Sequence, residues 1–134
     1  MHVHHTAIQI AEPQRTIAFY RRLGLELVGC FRVDPIVLYY MSAPAGGATF
    51  ELVHNPAAVD RAPGSGHVAV AIDHFDGLLA ELRGAGISLE REPYHPGDRE
   101  DRRVCFLRDP DGTLVELLDG EFLTPQDPLP EGIT

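Results

Sequence analysis

The chain has only two cysteines, Cys30 and Cys105, among its 134 residues. Two cannot build a disulfide framework, and both lie in apolar surroundings, so they read as reduced core residues. No apolar run approaches the ~20 residues that a membrane span requires. The opening MHVHHTAIQIAEPQR lacks the basic flank and long apolar stretch of a signal peptide, and the expected location is the cytoplasm. Basic residues are scarce: 11 Lys and Arg against 20 Asp and Glu give a formal net charge of −9. That balance excludes nucleic-acid binding, which needs a basic stripe to neutralise phosphates. Neither Gly46-Gly47 nor residues 63–66 has the spacing of a phosphate loop. No Ser or Cys stands in a nucleophile setting, which sets covalent catalysis aside. What remains is one domain, 44% hydrophobic and long enough to bury a core.

Residues 104–118, VCFLRDPDGTLVELL, organise the rest. Two β-forming runs flank Asp109-Pro110-Asp111-Gly112, where Pro110 presets a turn and Gly112 accepts a positive φ, so a tight hairpin is predicted. Its second arm places Glu116 inside an apolar strand, and a carboxylate is costly to bury there unless a cation meets it. Upstream, residues 2–10 alternate with period two. His5, Ala7 and Gln9 share one face, and Thr6, Ile8 and Ile10 the other. Pro13 opens a helix to Leu23, closed by Gly24. Strands are predicted over 26–33, 36–42 and 49–53, and residues 55–66 show no periodic pattern.

The order then repeats as a strand over 66–73, a helix over 75–85 capped by Gly84 or Gly86, a strand over 87–91, a polar loop over 92–101, and the hairpin. The expected architecture is therefore α+β: two tandem βαβββ modules, 1–54 and 66–120, joined by a linker over 55–65. Residues 121–134 are Pro-rich and aperiodic, and read as a tail that is mobile or laid against a partner.

Each module supplies a histidine near the start of its first strand and a glutamate inside its last. These are His5 with Glu51 (in TFELV) and His67 with Glu116 (in LVELL). Both histidines lead runs of small residues that leave room in front of the strand. Two neutral imidazoles and two carboxylates suit a borderline divalent ion such as Zn, Ni, Co, Fe or Mn. For any one of the four, a solvated Glu or a hydrogen-bonded core His is the plainer explanation. Four in register across an internal repeat point to a metal site.

These stretches, HTAIQIAEPQRTIAFYRRLGLELV, FELVHN, GHVAVAI and FLRDPDGTLVELL, make the chain resemble the vicinal oxygen chelate superfamily of glyoxalases, bleomycin resistance proteins and extradiol dioxygenases. Within it the chain looks most like the glyoxalase I (lactoylglutathione lyase) family. The resemblance implies a half-open, barrel-like metal site with His5, Glu51, His67 and Glu116 as ligands. It also implies a homodimer with sites at the interface, one His–Glu pair from each chain, and Ni or Co favoured over Zn, as in the shorter bacterial forms. The implied substrate is the hemithioacetal of a 2-oxoaldehyde with glutathione or another thiol, converted to a 2-hydroxyacyl thioester. The metal would stabilise the developing ene-diolate. Glu116 would be the general base, with Glu51 able to share the work.

Some residues depart from that pattern. Glyoxalase I uses an Arg on the first strand where this chain has Gln9, and a neutral amide cannot clamp a carboxylate as Arg does. Asn55 matches a glutathione-contacting Asn of the family, and before Pro56 it is equally a turn residue. Arg99, Arg102 and Arg103 lie in a loop that would overhang the site, as anion binders or as a solvated cluster. Three functions follow: a glyoxalase I-like lyase; another superfamily enzyme (a methylmalonyl-CoA-type epimerase, extradiol dioxygenase or antibiotic thiol transferase); or a metal-free drug-binding protein. Epimerases of this kind usually carry Gln where Glu51 stands. Dioxygenases and transferases generally use three protein ligands and leave that position free. A metal-free binder has no need of four ligand-type residues. His2 and His4 could bind metal weakly, and a frayed terminus is the plainer expectation; His54, His74 and His95 read as loop or surface residues.

Overall fold

The computed structural model describes residues 1–22, 24–57, 66–108 and 114–134. They form two compact units. One comprises residues 5–66 with 124–134, and the other residues 1–4 with 67–123. Each contains a βαβββ module, as expected. In the first, β1 (His2–Gln9, from His5 on) is followed by α1 (Pro13–Arg22), β2 (Glu26–Val33), β3 (Ile36–Ser42) and β4 (Thr49–His54). In the second, β5 (Gly66–Ile72) is followed by α2 (Phe75–Gly84), β6 (Arg91–Tyr94), β7 (Val104–Arg108) and β8 (Leu114–Asp119).

The pairing is the same in both units. β1 runs parallel to β4, β4 antiparallel to β3, and β3 antiparallel to β2. Likewise β5 runs parallel to β8, β8 antiparallel to β7, and β7 antiparallel to β6. In each unit the four strands form an open row, with the helix on one face.

Alternation divides the strands into a helix face and an opposite face. Under α1, Ile17 packs on Cys30, Tyr39, Met41 and Leu52; under α2, Phe75 and Leu79 pack on Ile72, Cys105 and Leu117. Both cysteines are buried and free. Burial pushes the Cys105 thiol up to about 11, so it stays protonated. Both helices end in the same way. After α1 the N–H of Leu25 donates to Tyr20 O and that of Gly24 to Arg21 O, with Gly24 at φ 97. After α2, Ile87 donates to Leu82 O and Gly86 to Arg83 O, with Gly86 at φ 78. This closure needs a left-handed residue, which glycine adopts without steric cost.

Three expectations change. The strand predicted over 87–91 lies later, at Arg91–Tyr94. Ile87 is taken up in closing α2, and Pro93, which cannot donate to a ladder, is tolerated because β6 is the outer strand of its row. The polar loop is correspondingly shorter. Residues 124–134, expected to be mobile or laid against a partner, run along β2 of their own chain. Cys30 N donates to Pro125 O and Asp127 N to Cys30 O, while Asp127 Oδ2 accepts from Arg32 N. Ile133 joins the core under α1. The predicted turn over 109–112, helix residue Leu23 and most of the linker (58–65) lie outside the described residues.

The tail approaches so closely that Gly29 has no room for a side chain. A Cβ there would lie 2.3 Å from Thr124 Cγ2 and 2.4 Å from Pro125 O. We expect Gly29→Ala to lift the tail off β2 and destabilise the chain by about 1–3 kcal/mol, the usual cost of overpacking. Limited proteolysis would then cut within 124–134 faster than in the wild type, and a lower thermal midpoint would accompany it.

Candidate metal centre

In the first unit His5 and Glu51 lie on the face of the sheet turned away from α1. Parallel pairing sets Ala7 beside Glu51 and His5 beside Thr49, so the two side chains meet diagonally across adjacent strands. His5 is 3% exposed and Glu51 5%, and His5 Nε2 stands 3.3 Å from Glu51 Oε2. Ala7 and Gln9, both buried, follow His5 on that face. The second unit repeats the arrangement. Ala69 pairs with Glu116, His67 is buried, and its Nε2 lies 3.8 Å from Glu116 Oε2.

Two aromatic residues complete these pairs, and the sequence reading missed both. Tyr40 stands directly opposite Glu51 on β3, with its ring perpendicular to His5 (88°, centroids 6.4 Å apart). Phe106 stands opposite Glu116 on β7, perpendicular to His67 (86°, 5.6 Å). Edge-to-face contact of this kind is favourable and fixes the imidazole plane. Counting back through each hairpin to the residue paired with each Glu would have found them.

The donor set fits a divalent ion. A neutral imidazole donating directly to a carboxylate would sit at roughly 2.7–3.2 Å, and both pairs are longer. Donor atoms bonded to one ion at about 2.0–2.2 Å stand roughly 3.0–3.5 Å apart, close to the spacing of the first pair and a few tenths of an ångström short of the second. In each unit a cation held beside the carboxylate would offset the cost of taking that acid out of water.

The remaining sequence-predicted residues have visible roles. Gln9 is buried on the His5 face of β1. Asn55 Oδ1 accepts from Ala57 N (3.1 Å), a local turn. Arg99 is half-buried, at the end of a short 3-10 turn, Pro96–Asp98. Arg102 is buried and donates to Leu123 O. Arg103 donates to Asp119 (2.7 and 3.0 Å) and Asp76 (2.9 Å) and lies over the Phe75 ring. It thus ties the start of α2 to the end of β8, with its positive charge answered by two carboxylates. The bond from Arg103 holds the Asp76 carboxyl below its ordinary value.

A family model described as the Glyoxalase/Bleomycin resistance protein/Dioxygenase superfamily matches residues 2–117. The lactoylglutathione lyase of Salmonella typhimurium is 28% identical, over 90% of this chain and 94% of its own length. A probable lactoylglutathione lyase of Vibrio parahaemolyticus is 27% identical, over 87% and 89%. In fold the chain is similar to the methylmalonyl-CoA epimerase of Mycobacterium tuberculosis, at a TM-score of 0.75 and 24% identity, over 90% of this chain and 89% of that one.

A folded-state carboxyl held low stabilises above its unfolded value, near 4, and that contribution is lost as pH falls through the folded value. We therefore expect Asp76→Asn to lower the urea midpoint at pH 6 and to lower it by less at pH 2.5. An equal loss at both would mean that the Arg103–Asp76 pair carries no charge-dependent stability.

Proposed function

Since the chain belongs to the Glyoxalase/Bleomycin resistance protein/Dioxygenase superfamily, we propose that it is a metal-dependent lyase of the glyoxalase I kind, with His5, Glu51, His67 and Glu116 as one ligand set. The carrying observation is the two His–Glu couples at equivalent strand positions, with His5, Glu51 and His67 buried and Glu116 half-buried. The similarity to lactoylglutathione lyases over nearly the whole chain supports the same reading.

When bound, a divalent ion would act as a Lewis acid toward an oxygen next to the reacting carbon. Glu116 takes the proton from the carbon beside the carbonyl and returns it to its neighbour, so the hemithioacetal becomes a 2-hydroxyacyl thioester. Glu51 is the opposite carboxylate and can share that transfer. Tyr40 and Phe106 keep the imidazoles from rotating. Ala7 and Ala69 leave space in front of β1 and β5, and their burial keeps bulk water from a carbanion-like centre. Arg99 would act at the rim and Asn55 beyond β4, whereas Arg103, held by Asp76 and Asp119, would keep the start of α2 in place.

A second reading, an epimerase acting on a thioester, is favoured by Gln9. A neutral amide on the face that carries His5 offers no clamp for the free carboxylates of glutathione. The two readings share the proton transfer and differ in the thiol.

Thioester formation from methylglyoxal and glutathione, assayed with Ni, Co and Zn in parallel, decides between them. We expect turnover that a chelator abolishes and the ion restores. A metal-loaded protein inactive on this pair would sink the glyoxalase reading. Glu116→Gln should lower kcat by about 10²–10⁴ with the fold intact by circular dichroism, and wild-type turnover in that variant would overturn the base assignment. Mixing a His5→Ala/Glu51→Ala chain with a His67→Ala/Glu116→Ala chain tests the homodimer. Recovered activity means that each site draws one pair from each chain, and none means that one chain supplies all four.

A further inference from the structure

We propose a second transition-metal site, independent of the one above, formed by His2 and His4 on the face of β1 opposite to His5. Both belong to the unit of residues 67–123 with 1–4. β1 begins at His2, so both histidines are strand residues. Residues two apart on a strand share a face, and that face is opposite to the one bearing His5. His2 is exposed and His4 half-buried, so the pair is open to solvent ions.

The geometry suits a shared ion. An ion bonded to one nitrogen of each ring at about 2.0–2.1 Å lies roughly 3.2 Å from each ring centroid, so two rings can share it when their centroids are no more than about 6.4 Å apart. The centroids of His2 and His4 are 6.2 Å apart.

His4 is also pre-set as a ligand. Its Nε2 lies 3.0 Å from Phe122 O. A carbonyl only accepts, so in the neutral ring the proton sits on Nε2 and Nδ1 carries the lone pair. A histidine whose other nitrogen donates to a backbone carbonyl is in the arrangement typical of metal-bound imidazole, with tautomer and ring plane both fixed. The edge-on Phe122 ring (72°, 6.4 Å) supports the same plane. Two imidazoles completed by water suit Cu(II) above other divalent first-row ions.

The probe is Cu(II), titrated into the full chain by calorimetry with electron paramagnetic resonance of the bound ion. We expect the wild type to take one more equivalent per chain than His2→Ala/His4→Ala. Either single variant should weaken that class of site at least tenfold, because the chelate is lost. The His5→Ala/His67→Ala chain should still bind one Cu(II) with a nitrogen-ligand signature. Thioester-forming activity of the His2→Ala/His4→Ala chain, where the wild type has it, should be unchanged. Equal stoichiometry in the wild type and His2→Ala/His4→Ala would overturn the proposal. If the wild type takes a single equivalent that only the His2 and His4 changes remove, this site stands and the four-ligand centre falls.

Discussion

Each half of this protein sets a carboxylate in the middle of an apolar strand, buried at Glu51 and half-buried at Glu116, and much of its architecture follows from answering that charge. Glu51 and Glu116 cannot point toward the helices, where Tyr39, Met41, Cys105 and Leu117 fill the space. Strand alternation sends them to the other face, and the parallel neighbour brings a histidine within reach. A parallel pair of strands needs a crossover, which the helix supplies. In the βαβββ order that crossover runs through the helix and two further strands, and it sets a His-bearing strand beside a Glu-bearing one with an apolar layer behind both.

Duplication then does what one half cannot. A single His–Glu pair has half the charge and half the donors that a divalent ion calls for, and the second unit carries an equivalent pair of its own. The halves are not identical in what surrounds the carboxylate. A phenol stands opposite Glu51 and a plain phenyl ring opposite Glu116. Glu51 therefore has a hydroxyl-bearing neighbour and Glu116 an entirely apolar one, a difference in the direction expected where one carboxylate stays a ligand and the other moves a proton.

The His–Glu pairs were legible in the sequence because they break a local rule, a charged residue in an apolar strand, twice in matching places. The helices and most strands were legible from periodicity and from Gly24 and Gly86. Three features were hidden for physical reasons. β6 contains Pro93 and follows polar residues, so no alternation marks it. The tail is held largely by backbone hydrogen bonds to β2, which side-chain patterns do not report. Arg103 is answered by Asp76 and Asp119, each distant in sequence, so its loop read as free charge.

The chain divides so that its first four residues belong with 67–123 and its last eleven with 5–66. Each unit is finished by the terminus that the other unit's stretch of chain would claim in a simple tandem. Cutting the gene in the middle would therefore not release two ancestral modules. One fragment would carry β2 with its outer edge bare, and the other would have lost His4 from against Phe122. The exchange of ends means that each unit, β2 with its tail and Phe122 with His4, is built from two separate stretches of the chain.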